Sequence, residues 1–116
     1  MNTILAYMYR DAANYKQHDR AIFTGAVTDE ERVAFSRACV DGEYFIASQI
    51  GLVDLQPRMD NFPDEDDHVW SEFEGFELSV DVPTHGSIHD FIASLAGIKW
   101  DVAAAAARLG LPKSAA

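Results

Sequence analysis

Apolar and polar residues change places along this chain with two different periods. Over Thr3–Arg10 the side chains of Ile4, Ala6 and Met8 fall on one side of an extended backbone, and those of Leu5, Tyr7 and Tyr9 on the other. Both faces are apolar or aromatic, which predicts a strand that is central or covered on both sides. Asp11–Asp19 is polar and reads as a connection. Arg20–Val27, with Ile22, Phe23, Thr24 and Val27, reads as a second strand able to pair antiparallel with the first. Phe76–Val82 alternates most cleanly: Phe76, Leu78, Val80 and Val82 against Glu77, Ser79 and Asp81, the pattern of a half-buried strand. Upstream the phase flips, because Phe73 is apolar at an odd position between two acids. Gly75 sits at the flip and predicts a bulge.

Helical spacing follows two capping signals. Thr28 precedes Glu31 by three, so hydroxyl and carboxylate can each satisfy a free amide of the first turn. Val33, Ala34, Phe35, Ala38 and Cys39 supply the apolar stripe, and Asp41-Gly42 is expected to end this helix with Gly42 left-handed. Ser87 caps a second helix carrying Phe91, Ile92 and Leu95, closed by Gly97. Trp100–Leu109 is an alanine-rich third helix, stopped by Gly110-Leu111-Pro112. Glu43–Leu55 suits a short helix or an extended stretch. Pro57–His68, with two prolines and five acids, reads as a loop. The order β-β-α-(irregular)-β-α-α predicts an α+β fold. It would be one domain over residues 1–116, with a small, mainly antiparallel sheet of about three strands and helices packed on one face. Phe76, Leu78, Val80 and Val82 should then face Val33, Phe91, Ile92 and Leu95.

Charge changes this ordinary picture. Residues 1–40 balance five acids with five bases, whereas residues 41–90 carry thirteen acids and one base, Arg58. That middle segment holds the whole of the net charge of −10, and a field of one sign repels itself unless a partner, an ion or water offsets it. Nucleic acid and anionic lipid are disfavoured as partners, since both are polyanions; a basic protein surface is favoured. Cys39 is the only cysteine, so no intrachain disulfide forms, which fits a reducing compartment such as the cytoplasm. The opening MNTILAYMYRD lacks a basic start and a long apolar run, so no signal peptide is expected, and no apolar stretch is long enough for a membrane span.

Several groupings invite chemistry. Asp60, Asp64, Glu65, Asp66 and Asp67 supply hard oxygen ligands at short spacing, but the glycine of a helix–loop–helix calcium loop is missing and Pro63 intrudes, so a solvated acidic loop is the plainer reading. His85 and His89 lie four apart, yet Ser87 caps the helix between them and leaves His85 outside it. Cys39, near a helix C-terminus and on its apolar stripe, reads as a structural thiol rather than a nucleophile. No cofactor is implied.

Two resemblances are on the page. Val102–Leu111 resembles the first helix and turn of a helix-turn-helix unit, but no recognition helix follows; only Lys113 is basic beyond the turn. Tyr7–Lys16 and Ser48–Leu52 resemble segments of small bacterial proteins of uncharacterised function, which implies a setting and no mechanism.

The leading functional expectation is a small acidic protein-binding module, of inhibitor or immunity type, engaging a basic partner. Asp64, Glu65, Asp66 and Asp67 would steer the encounter, and Trp70 and Phe73 would anchor it. The alternative is a small enzyme or a ligand- or metal-binding protein built on His68, His85, His89 and nearby carboxylates. A second alternative is a self-associating structural protein with Thr3–Arg10 or Leu52–Leu55 in the seam.

Overall fold

The pairing that organises the fold is the hairpin of β1 (Asn2–Arg10) and β2 (Lys16–Phe23), in a computed structural model that describes residues 1–112. The ladder runs from Thr3 opposite Phe23 to Arg10 opposite Lys16. β2 therefore begins four residues before its apolar run. The connection is only Asp11–Tyr15, tightened by Asn14 at φ 69° and by the Tyr15 amide donating to Asp11 Oδ1 at 2.9 Å. Polar residues suffice for the first half of β2 because it is an edge strand, where side chains can stay in water while the backbone pairs on one side.

β1 also pairs antiparallel with β4 (Ser71–Ser79), and β3 (Tyr44–Phe45) pairs with the start of β4, giving the order β2-β1-β4-β3. The expected α+β class holds, with four strands instead of three. β3 is two residues long, too short for any alternation to reveal. The predicted bulge is present: Ala6 faces Gly75, Tyr7 faces Phe73, and Glu74 is the extra residue between them. Gly75 has φ 149°, which favours a residue without a Cβ.

β1 is central, as its pattern implied, but only one face is covered by helices. Leu5, Tyr7 and Tyr9 are buried against α1 (Asp29–Ala38) and α2 (Ile88–Ser94) through Phe35, Ile88 and Ile92. On the other face Ile4 is buried, whereas Ala6 and Met8 are half-buried. The expected β4 face is corrected too. The strand ends at Ser79, and Leu78, Val80 and Val82 are 43%, 85% and 81% exposed. Phe76 packs against the core, whereas those three residues run past its end.

The Thr28 capping box forms as read: Glu31 N donates to Thr28 Oγ1 at 3.1 Å, and Thr28 N donates to Glu31 Oε1 at 2.9 Å. The helix ends at Ala38, however, before Asp41-Gly42. Cys39 is extended and buried, and Asp41 (φ 52°) and Gly42 (φ 79°) make the turn into β3. Val33 is 49% exposed, so it does not face the sheet; Phe35 does that alone from α1. Ser87 Oγ caps α2 by accepting from His89 N and Asp90 N. α3 (Val102–Leu109) starts after Trp100, capped by Asp101, and stops at left-handed Gly110 with Leu111 N donating to Ala106 O at 2.9 Å. Trp100 stays outside the helix, where its indole donates to Ala38 O at 3.0 Å and its ring touches both the main core and a smaller cluster of Ile46, Val69, Ala105, Ala106 and Leu109. Lys113 lies outside the described residues. Among those described, no helix is long and apolar enough to cross a membrane.

Candidate functional site

Asp67 is where the acidic loop is fastened. Tyr9, at the end of β1, donates from its hydroxyl to Asp67 Oδ1 at 2.7 Å and accepts from His68 N at 3.1 Å. Asp67 Oδ2 accepts from Asp64 N at 3.0 Å, Asp64 Oδ1 accepts from Asp66 N at 2.9 Å, and Ala12 N donates to Asp66 O at 3.0 Å. The loop is thus laced to itself and to the β1–β2 turn. Asp67 is 3% exposed, so it is withdrawn from the expected binding surface: its carboxylate is spent on the buried hydroxyl and a loop amide. Burial, then the bond to Asp67, push the Tyr9 hydroxyl far above its ordinary range.

The lacing leaves a cleft of about 310 Å³ between the β1–β2 turn and residues 59–67. Carboxylates of Asp11, Asp60, Asp64, Asp66 and Asp67 line it, and Lys16 is its one base. Tyr15 stands at its rim, 70% exposed. Sequence reasoning missed Asp11, Tyr15 and Lys16 because they reach the loop only through the hairpin turn; their polarity marked them as a connection and nothing more.

Of the eight acids of the middle segment outside the loop, four have a basic partner. Glu72 pairs with Arg10 at 3.1 Å, Glu74 with His18 at 2.9 Å, Asp81 with Arg20 at 3.6 Å and Asp54 with Arg108 at 3.4 Å. His18 stands opposite Met8, so its pair with Glu74 crosses over β1 on the open face of the sheet. Arg58, the only base in the segment, pairs with Asp19 at 2.9 Å. Among the described residues, Asp60, Asp64, Glu65 and Asp66 have no such cation. Asp41, Glu43, Glu77 and Asp90 lack one too, but the loop holds the densest group of unanswered acids.

The expected anchors are partly buried. Phe73 is half-buried in an aromatic cluster, its ring 4.7 Å from Phe35 and 4.8 Å from Phe76. Trp70 is half-buried against the smaller cluster. Both keep part of their surface exposed.

The histidines do not meet. His68 is engaged at the Arg10 end of β1: its Nε2 donates to Arg10 O at 2.7 Å and its Nδ1 accepts from Trp70 N at 3.1 Å, which defines the Nε2–H tautomer. His85 lies at the opposite end, its ring centroid 5.1 Å from that of Phe23. Seven strand steps separate the two ends, roughly 20 Å or more at about 3.4 Å per step. His89 contacts Glu31 at 2.8 Å. Burial pushes the Glu31 carboxyl up, but the Thr28 amide and hydroxyl and the His89 ring outweigh it and hold the carboxyl below its ordinary range. Among the described residues, no group of three or more His, Cys, Asp or Glu is placed to hold a metal ion. Burial pushes the Cys39 thiol up to about 12, which suits a structural residue and not a nucleophile.

Compared with family models, with curated proteins and with solved structures, the chain matches none.

Proposed function

We propose that this chain is a small acidic protein-binding module, and that the cleft between the β1–β2 turn and residues 59–67 receives lysine or arginine side chains of a basic partner. One observation supports this above the rest: the carboxylates of Asp60, Asp64, Glu65 and Asp66 lack an internal cation among the described residues and are gathered within one short loop, whereas half of the acids of the segment outside the loop are paired. Unanswered charge beside low-dielectric walls accelerates encounter with an oppositely charged surface. The loop is also held before any partner arrives, by Tyr9 and by the Ala12 amide, so little ordering entropy is lost on docking. Tyr15 takes the place of Trp70 and Phe73 as the exposed aromatic beside the acids. An inhibitor or immunity-type protein of the bacterial cytoplasm would use such a surface. The alternative built on His68, His85 and His89 draws no support from their separate positions.

The test is titration of the full chain with a lysine- and arginine-rich peptide at low and high salt. The variant combines Asp60→Asn, Asp64→Asn, Glu65→Gln and Asp66→Asn. Asparagine at 64 still accepts the Asp66 amide, so the loop should keep its shape. Affinity should fall about tenfold or more in the variant and lose most of its salt dependence. Equal binding by wild type and variant at low salt, with unchanged circular dichroism, overturns the reading.

A further inference from the structure

The two long edges of the sheet are finished differently. On β2, Ile22 O accepts from Thr84 N and His85 N, both at 2.9 Å, and Ile22 N donates to Thr84 Oγ1 at 3.0 Å. Arg20 N is taken by the Asp19 carboxylate at 2.7 Å. The Arg20–Ile22 part of that edge is closed to a further strand. On β4, β3 covers only Ser71 and Glu72, and Glu43 O takes the Phe73 amide at 2.8 Å. From Gly75 onward nothing in the described chain pairs with the outer edge. The outward amides can be identified. The Ile22 contacts show that even-numbered β2 residues point outward, so Thr3, Leu5 and Tyr7 direct their amides to β2. By alternation their β4 partners, Leu78, Phe76 and Phe73, direct theirs to the free edge. Beside it stand Leu78, Val80 and Val82, the exposed apolar row that the alternation had marked for burial.

We propose that this edge pairs antiparallel with the same edge of a second copy, joining two sheets into one of eight strands about a two-fold axis at Leu78. The exposed apolar row is self-complementary, which suits a second copy as the occupant, and like-charge contacts rule out the two registers centred next to Leu78. A two-fold centred on Glu77 would set that carboxylate against its own copy, and one centred on Ser79 would set Glu77 against Asp81; like charges directly opposite destabilise a pair. Centring on Leu78 places Glu77 opposite Ser79 and Gly75 opposite Asp81 on one face. On the other face Leu78 meets Leu78, and Phe76 meets Val80. The same register brings the outward amides of Phe76, Leu78 and Val80 into hydrogen-bonded pairs. The bulge at Gly75 ends the pairing. In this arrangement the two Glu77 carboxylates are diagonal neighbours, roughly 7–8 Å apart. Together with the net charge of each copy, this makes the association strengthen with salt, opposite to the cleft.

Sedimentation velocity of the full chain, over a range of concentrations at low and high salt, tests the seam. A concentration-dependent dimer, tighter at high salt, is expected. Leu78→Pro removes an outward amide without touching the β1 ladder and should weaken dimerisation about tenfold or more. Val80→Glu, beyond the end of the strand, should do the same and serves if the proline variant does not fold. The four-substitution loop variant should dimerise at least as well as wild type, whatever the outcome of the peptide titration. A wild type that stays monomeric at every concentration overturns the proposal. So does a folded Leu78→Pro or Val80→Glu chain that dimerises like wild type, or a dimer lost in the loop variant.

Discussion

On β4, Glu72 and Glu74 lie against Arg10 and His18, one residue of the central strand and one of the far edge, and their charge is spent inside the molecule. In the loop just upstream, Asp60, Asp64, Glu65 and Asp66 come from the same acidic stretch and find no cation among the described residues. A strand in register presents each side chain to a fixed neighbour, so a basic residue two strands away can be matched to it. A loop that leaves the sheet has no such neighbour on one side and faces water there. Local sequence density of carboxylates is therefore a poor measure of a field; what counts is whether the backbone delivers a counter-charge.

The sharpest way to break this division lies within the loop. Asp67→Ala leaves the buried Tyr9 hydroxyl and the Asp64 amide without their acceptor, and should cost about 2–4 kcal/mol in urea unfolding. Asp66→Ala removes a carboxylate that accepts no hydrogen bond from the described residues, and should cost within about 0.5 kcal/mol. Equal costs would erase the distinction between a structural and a free acid.

A second effect appears at high pH. Burial, then the Asp19 charge, push the Tyr7 hydroxyl up to about 12, burial does the same to the Cys39 thiol, and Tyr9 is raised further. In the unfolded chain these groups lose protons near their ordinary 10.0 and 9.0. Their folded values are raised, so the stability they contribute is complete below the unfolded values and declines as pH climbs toward the folded ones. Unfolding free energy should fall above about pH 9, by about 1.4 kcal/mol per pH unit for each titrating group. The four-substitution variant leaves all three groups in place, so it should show the same alkaline decline; a different slope would couple the loop to the core.

The smallest effect concerns the paired acids. Glu72→Gln weakens an ion pair whose arginine side chain is 39% exposed, and should cost under about 1 kcal/mol and leave peptide binding at the cleft unchanged. A marked gain in binding to acidic peptides, or a large loss of stability, would show that the sheet face matters more than the loop.

Much of the architecture was legible in local pattern. Thr28 with Glu31, Ser87, and Gly110 before Leu111-Pro112 mark helix ends because caps are satisfied within four residues. The phase flip at Gly75 gave the bulge, since the period of a strand is short. Misreadings arose where distant parts decide the outcome. Lys16–Asp19 became strand because pairing with β1 outweighs polarity at an edge. Val80 and Val82 stayed in water because the helices end their cover at Phe76. Phe73 joined the Phe35–Phe76 aromatic cluster once β4 began at Ser71.

By itself the sequence determined the α+β class, the central place of β1, the helix caps, the bulge and the excess of acid, all of which follow from short-range periodicity, capping chemistry and counting. Tertiary structure alone decided which acids find an internal partner, that Asp67 faces Tyr9, that the β1–β2 turn walls the cleft, and that one sheet edge is closed along Arg20–Ile22 while the other stays open. Those depend on contacts between residues dozens of positions apart, such as Tyr9 with Asp67 and Ile22 with Thr84, and no local pattern encodes which distant side chain arrives.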